Sequence, residues 1–172
     1  MKRLQSFIIA ILAITLFDSC IKNELTVFTT PVVEFDAASW NANGAGLTYP
    51  ILTRVPGYGR AASTADPSLT RLSPGVKKFR INLVGAQLAT DTDVFLLLGA
   101  GTTAVAGRHY AALPASIKIP AKSSFGELSV EILNPGTSSA TPVDLNLTLS
   151  GGSNNVKISE NYKTISLRIS QL

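Results

Sequence analysis

Between Lys77 and Ile169 the chain repeatedly alternates apolar and polar residues with a period of two, and no other feature limits its fold so tightly. Phe79, Ile81 and Leu83 alternate with Lys78, Arg80 and Asn82, and Leu128, Val130 and Ile132 with Ser129 and Glu131. Val143, Leu145, Leu147 and Leu149 alternate with Asp144, Asn146 and Thr148, and Ile165, Leu167 and Ile169 with Ser166 and Arg168. Neighbouring side chains of a strand point to opposite faces, so each segment reads as a strand with one dry and one wet face. Ile117 and Ile119 flank Lys118 in the same manner. Val94 to Leu98 differs: an unbroken apolar run is the pattern of a strand buried on both faces. Turn clusters at Asn134-Pro135-Gly136 and Gly151-Gly152-Ser153 separate the segments, and no helical apolar period persists beyond Cys20. The expected fold is all-β, an antiparallel immunoglobulin-like sandwich of about seven to nine strands. Its core is expected to hold Leu83, Val94, Leu96, Val130, Ile132, Leu145, Leu147 and Leu167.

The N-terminal half is less regular. Pro31–Asp36 and Leu47–Arg54 have weak strand character, and Pro50 restricts the second to a sheet edge because it cannot donate to a ladder. A turn cluster, Trp40–Gly46, lies between them. Val55–Gly75 is rich in Gly, Pro, Ser and Ala and longer than an ordinary connection, so it reads as a binding loop or as hiding a short element.

The first residues read as an address. Lys2 and Arg3 precede the apolar run Phe7–Phe17, which is too short to span a bilayer and has the length of a signal-peptide core. Asp18, Ser19 and Cys20 follow, and Cys20 is the single cysteine of the chain. This resembles a lipobox, with apolar Phe17, small Ser19 and the acylated Cys20, and it departs from the pattern where Asp18 replaces a small residue. The resemblance is to loose lipoboxes of Bacteroidota type. It implies a signal peptide over 1–19, a lipid on Cys20, a tether over 20–31 and one sandwich domain over 32–172, best defined over 77–170. Because Ile21 rather than Asp follows Cys20, it also implies outer-membrane localisation.

Composition closes off much chemistry. One Cys excludes an intramolecular disulfide and a Cys-based zinc site, and one His excludes a multi-histidine centre. The net charge of +4 is scattered, with no basic run longer than Lys77–Lys78, so nucleic-acid binding is not expected. Gly99-Ala-Gly101 follows a strand but opens no helix pattern, and it reads as a loop rather than a phosphate cradle. His109 has no Gly-x-Ser-x-Gly partner and reads as a solvated loop histidine. Glu127 and Glu131 share a strand face and read as outward charges rather than a glycosidase pair. No catalytic residue, metal or cofactor is assigned. The aromatics Trp40, Tyr49 and Tyr58, set in the irregular half, are the candidate ligand contacts, because exposed rings in loops stack on sugars.

Ala104, Gly107, His109 and Tyr110, then Ser116–Ala121, then the alternating Leu128–Ile132 have the cadence of a known family. The stretch from about Lys77 to Ile169 resembles the Calx-beta-like, immunoglobulin-type domains. Such domains occur in surface lipoproteins of uncharacterised function encoded near starch-utilisation-type uptake systems. Calcium-binding members carry acidic loops, whereas here His109 stands before Tyr110, leaving Asp91 and Asp93 as two carboxylates where a hard cation needs about six to eight oxygens. The favoured function is a non-enzymatic surface lipoprotein presenting its sandwich to a glycan, nutrient or partner protein. The alternatives are a fibre subunit assembled by strand addition, with Glu24–Phe35 as the donor, and a small secreted hydrolase.

Overall fold

The computed structural model describes residues 30–172; the expected signal peptide, Cys20 and nearly all of the tether lie outside the described residues. Among the described residues, nine strands and one short helix follow in order: β1 (Val32–Phe35), α1 (Asp36–Trp40), β2 (Ile51–Leu52), β3 (Gly75–Val84), β4 (Thr92–Leu98), β5 (Ser116–Ile119), β6 (Phe125–Ile132), β7 (Val143–Gly152), β8 (Lys157–Ile158) and β9 (Thr164–Ile169). They form two sheets, β6-β3-β1-β8 and β2-β9-β7-β4-β5, packed as a sandwich. The long pairs are antiparallel, as expected, but β1–β8 and β2–β9 are parallel. Both parallel pairs are only two residues long and lie at sheet edges, where the chain crosses between layers.

The alternation did its work. All eight expected core residues are buried, together with Phe35, Phe79, Ile81, Leu128, Ile165 and Ile169 from the facing strands. Along β6 the burial alternates without a break, Gly126, Leu128, Val130 and Ile132 inward and Phe125, Glu127, Ser129 and Glu131 outward. Gly126 is required rather than tolerated, since a Cβ there would sit 2.5 Å from the Lys118 carbonyl oxygen. That close approach lets β5 and β6, from different sheets, close one flank of the sandwich.

Three expectations need correction. Val94–Leu98 is not buried on both faces: Val94 and Leu96 point inward, whereas Phe95 is 47% and Leu97 57% exposed. The outer face of β4 has no third layer over it among the described residues, unlike the outer faces of β7 and β9, where Asn146 and Ser166 are buried. Gly151 and Gly152 do not form a turn but extend β7 past a bulge opposite Phe95/Leu96. Asp36–Trp40 is a helix rather than strand end and turn, too short for periodicity to reveal. It buries Ala37 and Ala38, and Asn41 Nδ2 closes it by donating to the Ala37 carbonyl at 2.8 Å.

The long connection after β2 has no regular element beyond isolated bridges from Arg54 to Ser68 and from Thr70 to Ser170. Side chains hold it instead. Asp66 is 7% exposed, takes both guanidinium nitrogens of Arg60, and accepts the Ser63 N–H at 2.7 Å. These donors keep the Asp66 carboxyl well below the usual carboxylate range, with the Arg60 contact the largest cause. Gly59 N–H donates to Asp36 Oδ2 at 2.8 Å, tying the loop to α1.

Candidate functional site

The strand directions sort the loops. The chain enters β1 at one end of the sandwich, beside Val84 at the end of β3 and Lys157 at the start of β8. At that same end β4 begins opposite Ile119, and β6 begins opposite Asn82. Three long connections, 53–74, 99–115 and 133–142, emerge at the other end. With ten residues in β3, the two ends lie about 33 Å apart. Four clefts gather at this far end, lined mainly by those loops.

One cleft, of about 390 Å³, contains a predicted contact residue. Tyr58 forms a wall with Val55, Pro56 and Pro67, above Val76 and Lys78 of β3. The strand register puts Arg80 opposite Glu127 on the outer face of the four-stranded sheet. Tyr58 Oη donates to Glu127 Oε2 at 2.5 Å, and Lys78 Nζ reaches Glu127 Oε1 at 2.9 Å. Burial, and then the Glu127 carboxylate accepting its proton, push the Tyr58 phenol up to about 12. The same two donors hold Glu127 below its ordinary value. Arg80 lies with its guanidinium 4.3 Å from the centre of the Phe125 ring and 5.8 Å from that of Tyr58. The result is a pair of exposed rings, Tyr58 43% and Phe125 41%, flanking fixed polar groups. Apolar faces bordered by planar donors and acceptors suit a ligand with one apolar face and a hydroxylated edge.

The three predicted aromatics do not converge. Trp40 ends α1 and is exposed, and Tyr49 is half-buried, its carbonyl accepting the Gly44 N–H. Neither lines a far-end cleft. Sequence reasoning passed over Phe125 and Arg80 because both belong to ordinary alternating strands, and only the β3–β6 register brings them beside Tyr58.

The remaining sequence features resolve individually. His109 is not a solvated loop residue but 7% exposed, and its Nδ1 accepts the Val105 N–H at 2.9 Å. The 105–109 turn folds the ring over its own backbone, so the imidazole occupies a structural position. Burial, and secondarily Arg108, lower its pKa. Asp91 is committed to Lys118 Nζ and to the Ala121 N–H, both at 2.9 Å, at the entry end, and Asp93 lies on β4. Among the described residues no three metal-ligating side chains come together. Glu127 and Glu131 lie four strand residues apart, about 13 Å, beyond the spacing of paired glycosidase carboxylates. Gly99-Ala-Gly101 runs as a loop beside β7, with Asn146 Nδ2 donating to the Ala100 carbonyl at 2.6 Å.

The molecule is an all-β, two-sheet sandwich with a loop-built end, and its own strand pairing establishes that class. No family model matches the chain, and no curated protein does. Among solved structures it is similar to the apo form of the Calx CBD1 domain, at 18% identity and a TM-score of 0.44 over 56% of this chain and 83% of that one. A two-domain protein of unknown function from Bacteroides fragilis aligns over 82% of this chain and 45% of its own, at 9% identity and a TM-score of 0.48. A Bacteroides ovatus protein described as a candidate carbohydrate binder aligns over 56% of this chain and 32% of its own, at 10% identity and a TM-score of 0.43. The chain spans 38% of the length of the Calx fragment CBD12.

Proposed function

We propose that the chain is a non-enzymatic lipoprotein of the outer membrane that presents the far end of its sandwich to a glycan. The observation that carries this reading is the separation of ends: the chain enters at one end, and the long loops, Tyr58 and four clefts sit at the other. A lipid on Cys20 would then hold the entry end toward the membrane and leave the loops facing outward. Multiple acyl chains anchor stably where one does not. Tyr58, which lines a far-end cleft, supplies an exposed stacking face there, with Lys78 and Glu127 as polar partners. Phe125 and Arg80 lie further along the outer sheet face toward the entry end.

Strand addition fits the geometry less well. Within the donor segment, Val32–Phe35 is already paired with β3 along its length and with β8 at Val32 and Val33. The edge strands β2 and β8 are two residues long, and the β5 and β6 edges abut through Gly126. Short or covered edges are poor templates for an incoming strand.

Two measurements test the proposal. Changing Cys20 to Ala should leave a precursor that retains residues 1–19 and takes up no labelled acyl chain; a wild-type protein with an unmodified Cys20 refutes the anchor. Titration with a panel of polysaccharides should find a binder whose affinity falls when Tyr58 is changed to Ala, and an absence of any binder refutes the glycan reading.

A further inference from the structure

We propose that the largest depression at the far end, a trough on either side of Pro142, recognises an acidic glycan through its arginines; this rests on the glycan reading and names the ligand class. Two clefts, of about 520 and 290 Å³, share Pro142 as a common wall. Arg54 and Arg168 line the first, Arg108 and His109 the second, and four Ser or Thr side chains line each. No Asp or Glu lines either.

The charges are differently committed. Arg168 donates Nε and one terminal nitrogen to Asp144, both at 2.8 Å, and so is neutralised in place. Arg54 donates to the Asp66 carbonyl at 2.6 Å, which satisfies one donor without cancelling its charge. Arg108 is exposed and is in none of the ion pairs among the described residues. His109 uses Nδ1 as an acceptor, so its neutral ring carries the proton on Nε2 and adds a donor. The trough thus offers two guanidinium groups that are in none of the ion pairs among the described residues, in separate clefts with hydroxyls around them, and Leu172 shares the first cleft with Arg54. Guanidinium forks match carboxylate and sulfate oxygens, and hydroxyls match sugar hydroxyls. Cations in two adjoining clefts suit a ligand that carries more than one negative charge. A nucleic acid fits less well, because no Phe, Tyr or Trp lines either cleft to stack a base.

The test is calorimetric titration of the full-length protein in detergent with polygalacturonate, dextran sulfate, neutral dextran, a neutral galactan and duplex DNA. We expect binding to an acidic polysaccharide that weakens steeply as salt rises, as counterion release requires. Arg108→Gln should weaken it about threefold and Arg54→Gln with Arg108→Gln about tenfold or more, while Lys157→Gln, at the entry end, leaves it unchanged. Polygalacturonate against dextran sulfate decides between carboxylate and sulfate. Binding of neither, or binding indifferent to both arginines, overturns the inference, and DNA binding with the same arginine dependence overturns its assignment to glycans. Neutral-glycan binding that depends on Tyr58 alone would leave the glycan reading standing and remove the acidic trough. Failure of every polysaccharide would remove both.

Discussion

Leu96 and Leu97 are adjacent leucines in β4, and they make a sharp test of the sandwich. Leu96 is 8% exposed and faces the other sheet; Leu97 is 57% exposed and faces out. Truncating a buried leucine loses its transfer free energy and leaves a cavity, so Leu96→Ala should cost about 2–4 kcal/mol. Full burial of a leucine contributes about 1.5–3 kcal/mol, and less than half of Leu97 is covered, so Leu97→Ala should cost about 1 kcal/mol or less. In urea, with an m-value of about 2 kcal/mol per molar, the first change lowers the midpoint by about 1–2 M and the second by about 0.5 M or less. The m-value should be unchanged in both, since neither alters the surface exposed on unfolding. Equal midpoint shifts would mean that β4 is buried on both faces, as its unbroken apolar run suggested, and that the two-layer arrangement is wrong. A Leu97 cost that grows with protein concentration would instead place a second molecule on that face.

Other outcomes follow from single residues. Leu147 is fully buried in the middle of β7, opposite Ile165, and its truncation to Ala should lower stability by about 2–5 kcal/mol in the same assay. Gly126→Ala should destabilise the fold and loosen β5 from β6, because its methyl group meets the Lys118 carbonyl; hydrogen exchange at Ile117–Ile119 that stays as slow as in the native protein would contradict this. His109 has a lowered pKa in the folded state, so its contribution is complete above the unfolded value of about 6.5 and is lost as pH falls through the folded value. His109→Ala should therefore flatten the decline in stability below about pH 6.5, besides costing about 1–3 kcal/mol through the unpaired Val105 N–H. With Asp91 bound to Lys118 and Ala121, millimolar calcium should leave the melting temperature unchanged, and a rise abolished by changing Asp91 and Asp93 would reveal a site that this pairing does not predict.

Period-two alternation alone determined the all-β class, the long strands β3, β6, β7 and β9, and the apolar face of each that enters the core; it did not show that Asn146 and Ser166, on the opposite faces of β7 and β9, are buried as well. A side chain's inward or outward direction is a local property of an extended backbone, so it is legible residue by residue. Pro50 marked an edge for the same reason, because a missing N–H is a property of one residue. The helix Asp36–Trp40 escaped because five residues carry no periodic signal. The one-sided burial of Val94–Leu98 escaped because an apolar run states what a strand can tolerate, not how many layers surround it. The loops were visible as loops, but their meeting at one end depends on strand direction. The placement of Arg80 beside Tyr58 and Phe125 depends on register between segments far apart in the chain. The pairing of strands and the closure of the sandwich decided those facts. A site built from several loops is defined by distances through space, and sequence separation does not encode them.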